Sequence, residues 1–331
     1  MNKLRSKVLI CVLLALLMTM PGCARHQTAA PETAAITPEN SDTPQSSQSP
    51  AQAEPTPPQK TTILYFSDMQ ADPDVGDYSG LVELAALAFR DGAAPDAIII
   101  GGDSVNDGGD EAEWELFHDA FGLWSDELVT ASVAGNHDSS PLLAEQFSFP
   151  DKAPAQQGQG FFYTLSAGFV FFVMLDSNIM GAANDADIQW LREKLESGAA
   201  QRADWVVAVM HHPMWPIADN PKDAERAATM REHFLPILEE FGVGLVLCGH
   251  QHVYSRTLPM RGDAAAGDGR GIVQVMAASG DKATYPPGGW DYIAATAPAP
   301  NYVVLSADGW SLTITAFDAE NGIIDEITIV K

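Results

Sequence analysis

Short apolar runs, each closed by a small cluster of Gly, Asp, Asn or His, constrain this chain more than any other feature. Ala97-Ile98-Ile99-Ile100 runs into Gly101-Gly102-Asp103, and Val129 to Val133 into Gly135-Asn136-His137-Asp138. Trp205 to Met210 runs into His211-His212-Pro213, and Val243 to Cys248 into Gly249-His250-Gln251-His252. An earlier run, Thr61 to Phe66, ends at Ser67-Asp68-Met69-Gln70. Runs of this length read as buried strands. Helical spacing lies between them, at Leu81 to Phe89 and around 111–123, 185–195 and 223–241. The segments 161–165 and 170–175 flank Ala167-Gly168 and predict a hairpin. Strand-like runs dominate the end of the chain, at 271–277, 302–305, 311–317 and 323–330. The chain is therefore α/β, and two sheets packed together with helices outside would bury both kinds of run.

Open α/β sheets place their sites beyond the carboxyl ends of strands. Those ends hold Asp68 and Gln70, Asp103, Asn136 and His137, His211 and His212, then His250 and His252, with five of the chain's eight histidines among them. Any one of these residues alone reads as a cap or a hydrogen-bonded core histidine. Recurrence at five strand ends points to one shared site. Oxygen and imidazole donors together suit borderline divalent ions. If Gly249 to His252 is extended, His250 and His252 emerge on one side and each offers a nitrogen to its own cation.

The N-terminus is of another kind. Lys3, Arg5 and Lys7 precede an apolar stretch, Val8 to Met20, broken only by Thr19. That stretch is shorter than the ~18 to 20 apolar residues of a spanning helix, so 1–23 reads as an export signal. Met20-Pro21-Gly22-Cys23 resembles the lipobox of bacterial lipoproteins, although Met and Pro replace the usual Leu and small or β-branched residue. The resemblance implies a lipid on Cys23 that anchors an exported domain to the cell membrane from its extracytoplasmic side; ordinary cleavage near Ala24 is the alternative. Residues 24–60, rich in Pro, Ala, Thr, Ser and Gln, cannot offset the entropy of ordering and read as a disordered tether. The folded domain is 61–331. Of three cysteines, Cys11 lies in the signal and Cys23 at its end, so Cys248 has no partner for a disulfide within the domain. A net charge of −26 argues against a basic patch for nucleic acid or anionic lipid. Phosphate recognition would need local cations. The sequence implies no partner protein.

Taken together, Asp68-Met69-Gln70, Gly102-Asp103-Ser104-Val105-Asn106, Gly135-Asn136-His137-Asp138, His211 and Gly249-His250-Gln251-His252 resemble the motif series of the calcineurin-like metallophosphoesterases. Gly249 through Thr257 is most similar to the purple-acid-phosphatase-like branch. The resemblance implies a four-layer αββα sandwich and a phosphate-ester hydrolase with two metal ions, of Mn, Fe or Zn. Asp103 would bridge the ions, with Asn136, His211 and His250 on one and Asp68, Gln70 and His252 on the other. Two such ions clamp phosphate oxygens for in-line attack. His137 would face the substrate and protonate the leaving oxygen or stabilise its charge. Around them, Asp138 would orient the His137 loop or an imidazole, and His212 would be a hydrogen-bonding partner or a substrate contact. Arg256 would buttress the His250 loop or bind phosphate. Two departures stand out. Gln70 occupies a usual histidine position, and Asn106 stands where purple acid phosphatases have the tyrosine that gives their colour. The expected activity is phosphomonoesterase, with phosphodiesterase as the alternative. A lipoprotein that binds phosphate compounds without hydrolysis is a third reading, kept open by Gln70.

Overall fold

Alternation along the first strand sets the layering. β1 (Thr61–Phe66) sends Ile63 and Tyr65 into one buried cluster, and Leu64 and Phe66 into another. That two-sided burial is what a central strand requires. The computed structural model describes residues 60–71, 77–90, 95–125, 128–138, 141–147, 161–178, 185–282 and 284–331. The export signal, Cys23 and the tether up to residue 59 lie outside the described residues.

After β1 come α1 (Ser79–Ala88), β2 (Ala97–Ile100), α2 (Glu111–Ser125) and β3 (Thr130–Ser132), the three strands pairing in parallel. A short helix, α3 (Leu143–Gln146), precedes the hairpin of β4 (Tyr163–Ala167) and β5 (Val170–Leu175). Then follow α4 (Asp185–Leu195), α5 (Gly198–Arg202), β6 (Trp205–Met210), α6 (Pro221–His233), α7 (Leu235–Glu240) and β7 (Leu245–Cys248). The remainder is β: β8 (Val253–Thr257), β9 (Met260–Arg261), β10 (Ala264–Ala265), β11 (Val273–Met276), β12 (Ile293–Pro298), β13 (Asn301–Ala307), β14 (Ser311–Asp318) and β15 (Ile323–Val330).

One sheet has the order β15-β14-β13-β1-β2-β3 and the other β12-β8-β11-β7-β6-β5-β4, while β9 and β10 pair as a small ribbon. In the second sheet β5, β6, β7 and β11 are parallel. The facing sides of the sheets share a core that includes Ile63, Tyr65, Ile99, Val207, Leu245 and Leu305. Helices α1 and α2 cover the first sheet's outer side through Leu84, Trp114, Phe117 and Phe121. Leu191, Met230, Phe234 and Leu238 cover the second. The architecture is the expected αββα sandwich.

One local expectation fails, and one strand was not foreseen. The helix read over 223–241 is two helices divided at Phe234, which caps the end of one and the start of the other. Pro236 has no N–H to continue the first helix, but fits the opening turn of the second, where no bond is lost. Strand β12 had no apolar run to announce it. It is an edge strand paired to β8, with residues alternately half-buried and exposed.

Candidate metal centre

Loops after β1, β2, β6, β7 and β11 are stitched to one another by main-chain hydrogen bonds. Asp68 N donates to Gly102 O (2.9 Å), Gln70 N to Asp103 O (3.1 Å) and Gly249 N to His211 O (2.9 Å). Ser279 N donates to Ser67 O (2.7 Å) and Gly280 N to Asp68 O (2.8 Å), joining the second sheet to the first. The fit needs glycine at 249, where a Cβ would lie 1.9 Å from Ser67 Oγ and 2.2 Å from Asp68 Oδ2.

The loops that carry these side chains are also conformationally unusual. Asp68, Asp103, His250 and His252 have φ of 50°, 56°, 79° and 48°, in the left-handed region that side-chain-bearing residues seldom adopt. This corrects the expectation of an extended Gly249–His252 segment. Residues 250–252 form a bend. His250 and His252 are both turned toward Asp68 by their own left-handed backbone, not because alternate strand residues share a face.

Asp103 sits in the middle of the cluster. Its Oδ1 accepts from His137 N at 2.8 Å, while Oδ2 lies 3.3 Å from His211 Nε2 and 3.3 Å from the Gln70 amide. His211 Nδ1 donates to Gly101 O at 2.8 Å, which leaves Nε2 facing Asp103 Oδ2 and, at 3.2 Å, Asn136 Oδ1. Asp68 takes the His250 main-chain N–H on both oxygens (2.9 and 2.8 Å) and the Ser67 hydroxyl at 2.8 Å. Its Oδ1 lies 3.4 Å from His252 Nε2. Asp68, Gln70, Asp103, His211 and His252 are buried, His137 and His250 half-buried, and Asn136 exposed.

The electrostatics follow from that crowding. Burial pushes the Asp68 carboxyl up to about 7; Asp103 adds to the rise and His211 opposes it. Burial also acts to raise Asp103, but the His211 imidazole overrides it and holds the carboxyl well below its ordinary range. His211, which burial alone would depress, is lifted to about 10 chiefly by Asp103. The two carboxylates thus draw positive charge to one point, where His211 now holds a proton that an ion would displace. An imidazole lone pair, a carboxylate oxygen and an amide oxygen converging there are a donor set that a divalent cation satisfies. Among the described residues, two groups could hold one: His211, His212 and His250, and Asp68, Asp103 and His252, with ligand atoms within 4.8 Å of one another in each group.

The remaining expected residues are placed as follows. Asp138 is buried and accepts from Gly135 N (2.6 Å) and Ser104 N (2.8 Å), tying the loop after β3 to the loop after β2. Both ring nitrogens of His212 are engaged, Nδ1 by Ser177 Oγ at 2.8 Å and Nε2 by Arg226. Burial, then His211, His250 and Arg226, drive its pKa far down, so it is a neutral ring. Arg256 forks onto Asp325 of β15, at 2.5 and 3.1 Å, and Tyr254 donates to the same carboxylate at 2.7 Å. That pairing braces the strand after the histidine loop.

A family model described as calcineurin-like phosphoesterase matches residues 61–254, more than half of the chain. The chain belongs to the calcineurin-like phosphoesterase family. An uncharacterized protein of Mycobacterium tuberculosis is 28% identical over 228 residues, covering 60% of this chain and 40% of that one. Purple acid phosphatase 23 of Arabidopsis thaliana is 27% identical over 150 residues, covering 42% and 32%. A probable cyclic nucleotide phosphodiesterase of Moraxella catarrhalis is 26% identical over 202 residues, covering 57% and 70%. The match therefore spans less than half of the first of these curated relatives. Among solved structures, the yellow lupin purple acid phosphatase PPD1 shares the fold, with a TM-score of 0.67, 17% identity, and coverage of 82% of this chain and 54% of that one.

Two residues at this candidate centre escaped the sequence reading. Asp223, in the first turn of α6, accepts from His250 Nε2 at 3.0 Å and from Gln251 Nε2 at 2.7 Å. With Nε2 held there, Nδ1 is the His250 nitrogen able to take an ion, as in carboxylate–histidine–metal triads. Replacing Asp223 by Ala is expected to weaken ion binding by about 10- to 100-fold. Equilibrium dialysis against Mn measures this, and unchanged affinity would reduce Asp223 to a first-turn helix acid. Lys282 also enters the centre, with Nζ 3.0 Å from His137 Nε2. Its only sequence signal was position: a lysine just past the apolar β11, where the other strands place their site residues.

Proposed function

We propose that this chain is a metal-dependent hydrolase of phosphate esters with two ion sites, acting first on monoesters. The observation that carries the reading is the convergence of Asp103 on both halves of the cluster. Asp103, Asn136, His211 and His250 would hold one ion, and Asp68, Gln70, Asp103 and His252 the other. Bound there, the ions would neutralise phosphate charge and activate a water. The chain's own part is positional. His137 is fixed by Nδ1 on the Asn106 carbonyl at 2.8 Å, so Nε2 is the atom that exchanges a proton with the leaving oxygen. Lys282, hydrogen-bonded to that nitrogen, is the adjacent proton donor.

The purple acid phosphatase relatives support a monoesterase. The Moraxella relative, matched over most of its length, supports a diesterase as the second reading. Purified full-length chain, stripped and reloaded with Mn, Fe or Zn, would be assayed on chromogenic monoester and diester. Faster, chelator-sensitive monoester turnover is expected. Faster diester turnover selects the second reading, and ion binding without turnover of either selects a binding lipoprotein. We further propose export and a lipid on Cys23, since the lipobox-like end and the tether together suit surface attachment. Cys23→Ser should move the protein out of the membrane fraction; unchanged fractionation rejects the anchor.

A further inference from the structure

One corner of the centre already contains a positive charge. The loop after β11 is locked against the loop after β1 at Gly280, where a Cβ would meet Asp68 O at 2.6 Å and Gln70 O at 2.7 Å. Two residues on, Lys282 turns into the site. In the amide orientation that satisfies both of its polar atoms, Gln70 donates to the Asp103 main-chain oxygen at 2.8 Å and accepts from Lys282 Nζ at 3.0 Å, so it is the amide oxygen that stands 3.3 Å from Asp103 Oδ2. The amide is thus pinned at its nitrogen, and the oxygen that would serve an ion faces an ammonium instead. Burial works against that ammonium, while Asp103 and Asp68 favour it. The same carboxylates would draw an ion. A neutral amide oxygen is also a poorer ligand than the imidazole usual at this position, so the ammonium faces a weak competitor.

We propose that Lys282 and a divalent ion are alternative partners of the Gln70 oxygen. The Asp68–Gln70–His252 corner then takes its ion more weakly than the Asn136–His211–His250 corner, and Lys282 supplies positive charge there until the ion enters. This rests on reading the cluster as a metal centre. It concerns a residue outside the 61–254 stretch that the family model matches.

The test counts ions and does not depend on turnover. Full-length chain is stripped with chelator, and Mn is returned stepwise by equilibrium dialysis with elemental analysis. Wild type is expected to bind a first ion and, about tenfold or more weakly, a second. Lys282→Met should strengthen the second step by about tenfold or more and leave the first unchanged. Lys282→Arg, which keeps the charge, should retain the weak second step. Lys282→Gln stands in if the Met variant melts early by circular dichroism. Two equal steps in wild type, or a second step no stronger in either neutral variant, overturns the proposal. If wild type binds no more Mn than Asp103→Asn, the first step is missing as well, and it is the metal-centre reading that fails.

Discussion

Asp103→Asn is expected to reduce turnover by about a thousandfold or more and to empty the centre of metal, in a chain that still folds. The substitution keeps size and shape, and its amide oxygen can still accept the His137 main-chain N–H that Asp103 Oδ1 now takes. What changes is the other oxygen, which becomes an N–H2 donor between His211 Nε2 and Gln70. A negative charge is lost where both halves of the cluster meet. Unit charges 4 Å apart attract by about 4 kcal/mol at an effective dielectric of 20. Each ~1.4 kcal/mol is about tenfold in rate or affinity, so one charge facing a divalent ion accounts for a loss of that size. Elemental analysis and steady-state kinetics on one preparation measure both. Retained metal with normal turnover would remove Asp103 from the centre.

His137→Ala should separate rate from metal. The ring is held by Asn106 O and Lys282 Nζ, whereas the bond to Asp103 comes from the main-chain N–H and survives truncation. A fall in kcat of about 10²- to 10⁴-fold is expected, as for a lost general acid, with ion content unchanged. A substrate whose leaving group departs without a proton should recover part of the loss. If metal disappears together with rate, His137 is a ligand and not a proton-transfer residue.

The strands were legible because their residues are apolar without interruption. Ala97–Ile100 and Leu245–Cys248 are buried throughout, and a run buried on both sides leaves no ambiguity of face. The main cluster was legible for a related reason, since polar residues directly after such strands have few places to go. What the sequence could not supply was contact across the sheets. Asp223 reads as an ordinary first-turn helix acid until α6 is seen against His250. Lys282 reads as a surface lysine until Gly280 is seen docked on Asp68. The His250–His252 bend failed for a local reason. Left-handed backbone at residues bearing imidazoles runs against their intrinsic preference, and it is held in place by tertiary contacts that a linear pattern does not carry.

That backbone sets the needs of the chain against those of the chemistry. At Asp68, Asp103, His250 and His252 the conformation suits glycine, the residue with nothing to offer an ion. On the proposed reading, natural variation toward comfort at these four positions would be variation toward inactivity, and a descendant released from catalytic duty could gain stability simply by forgetting its side chains.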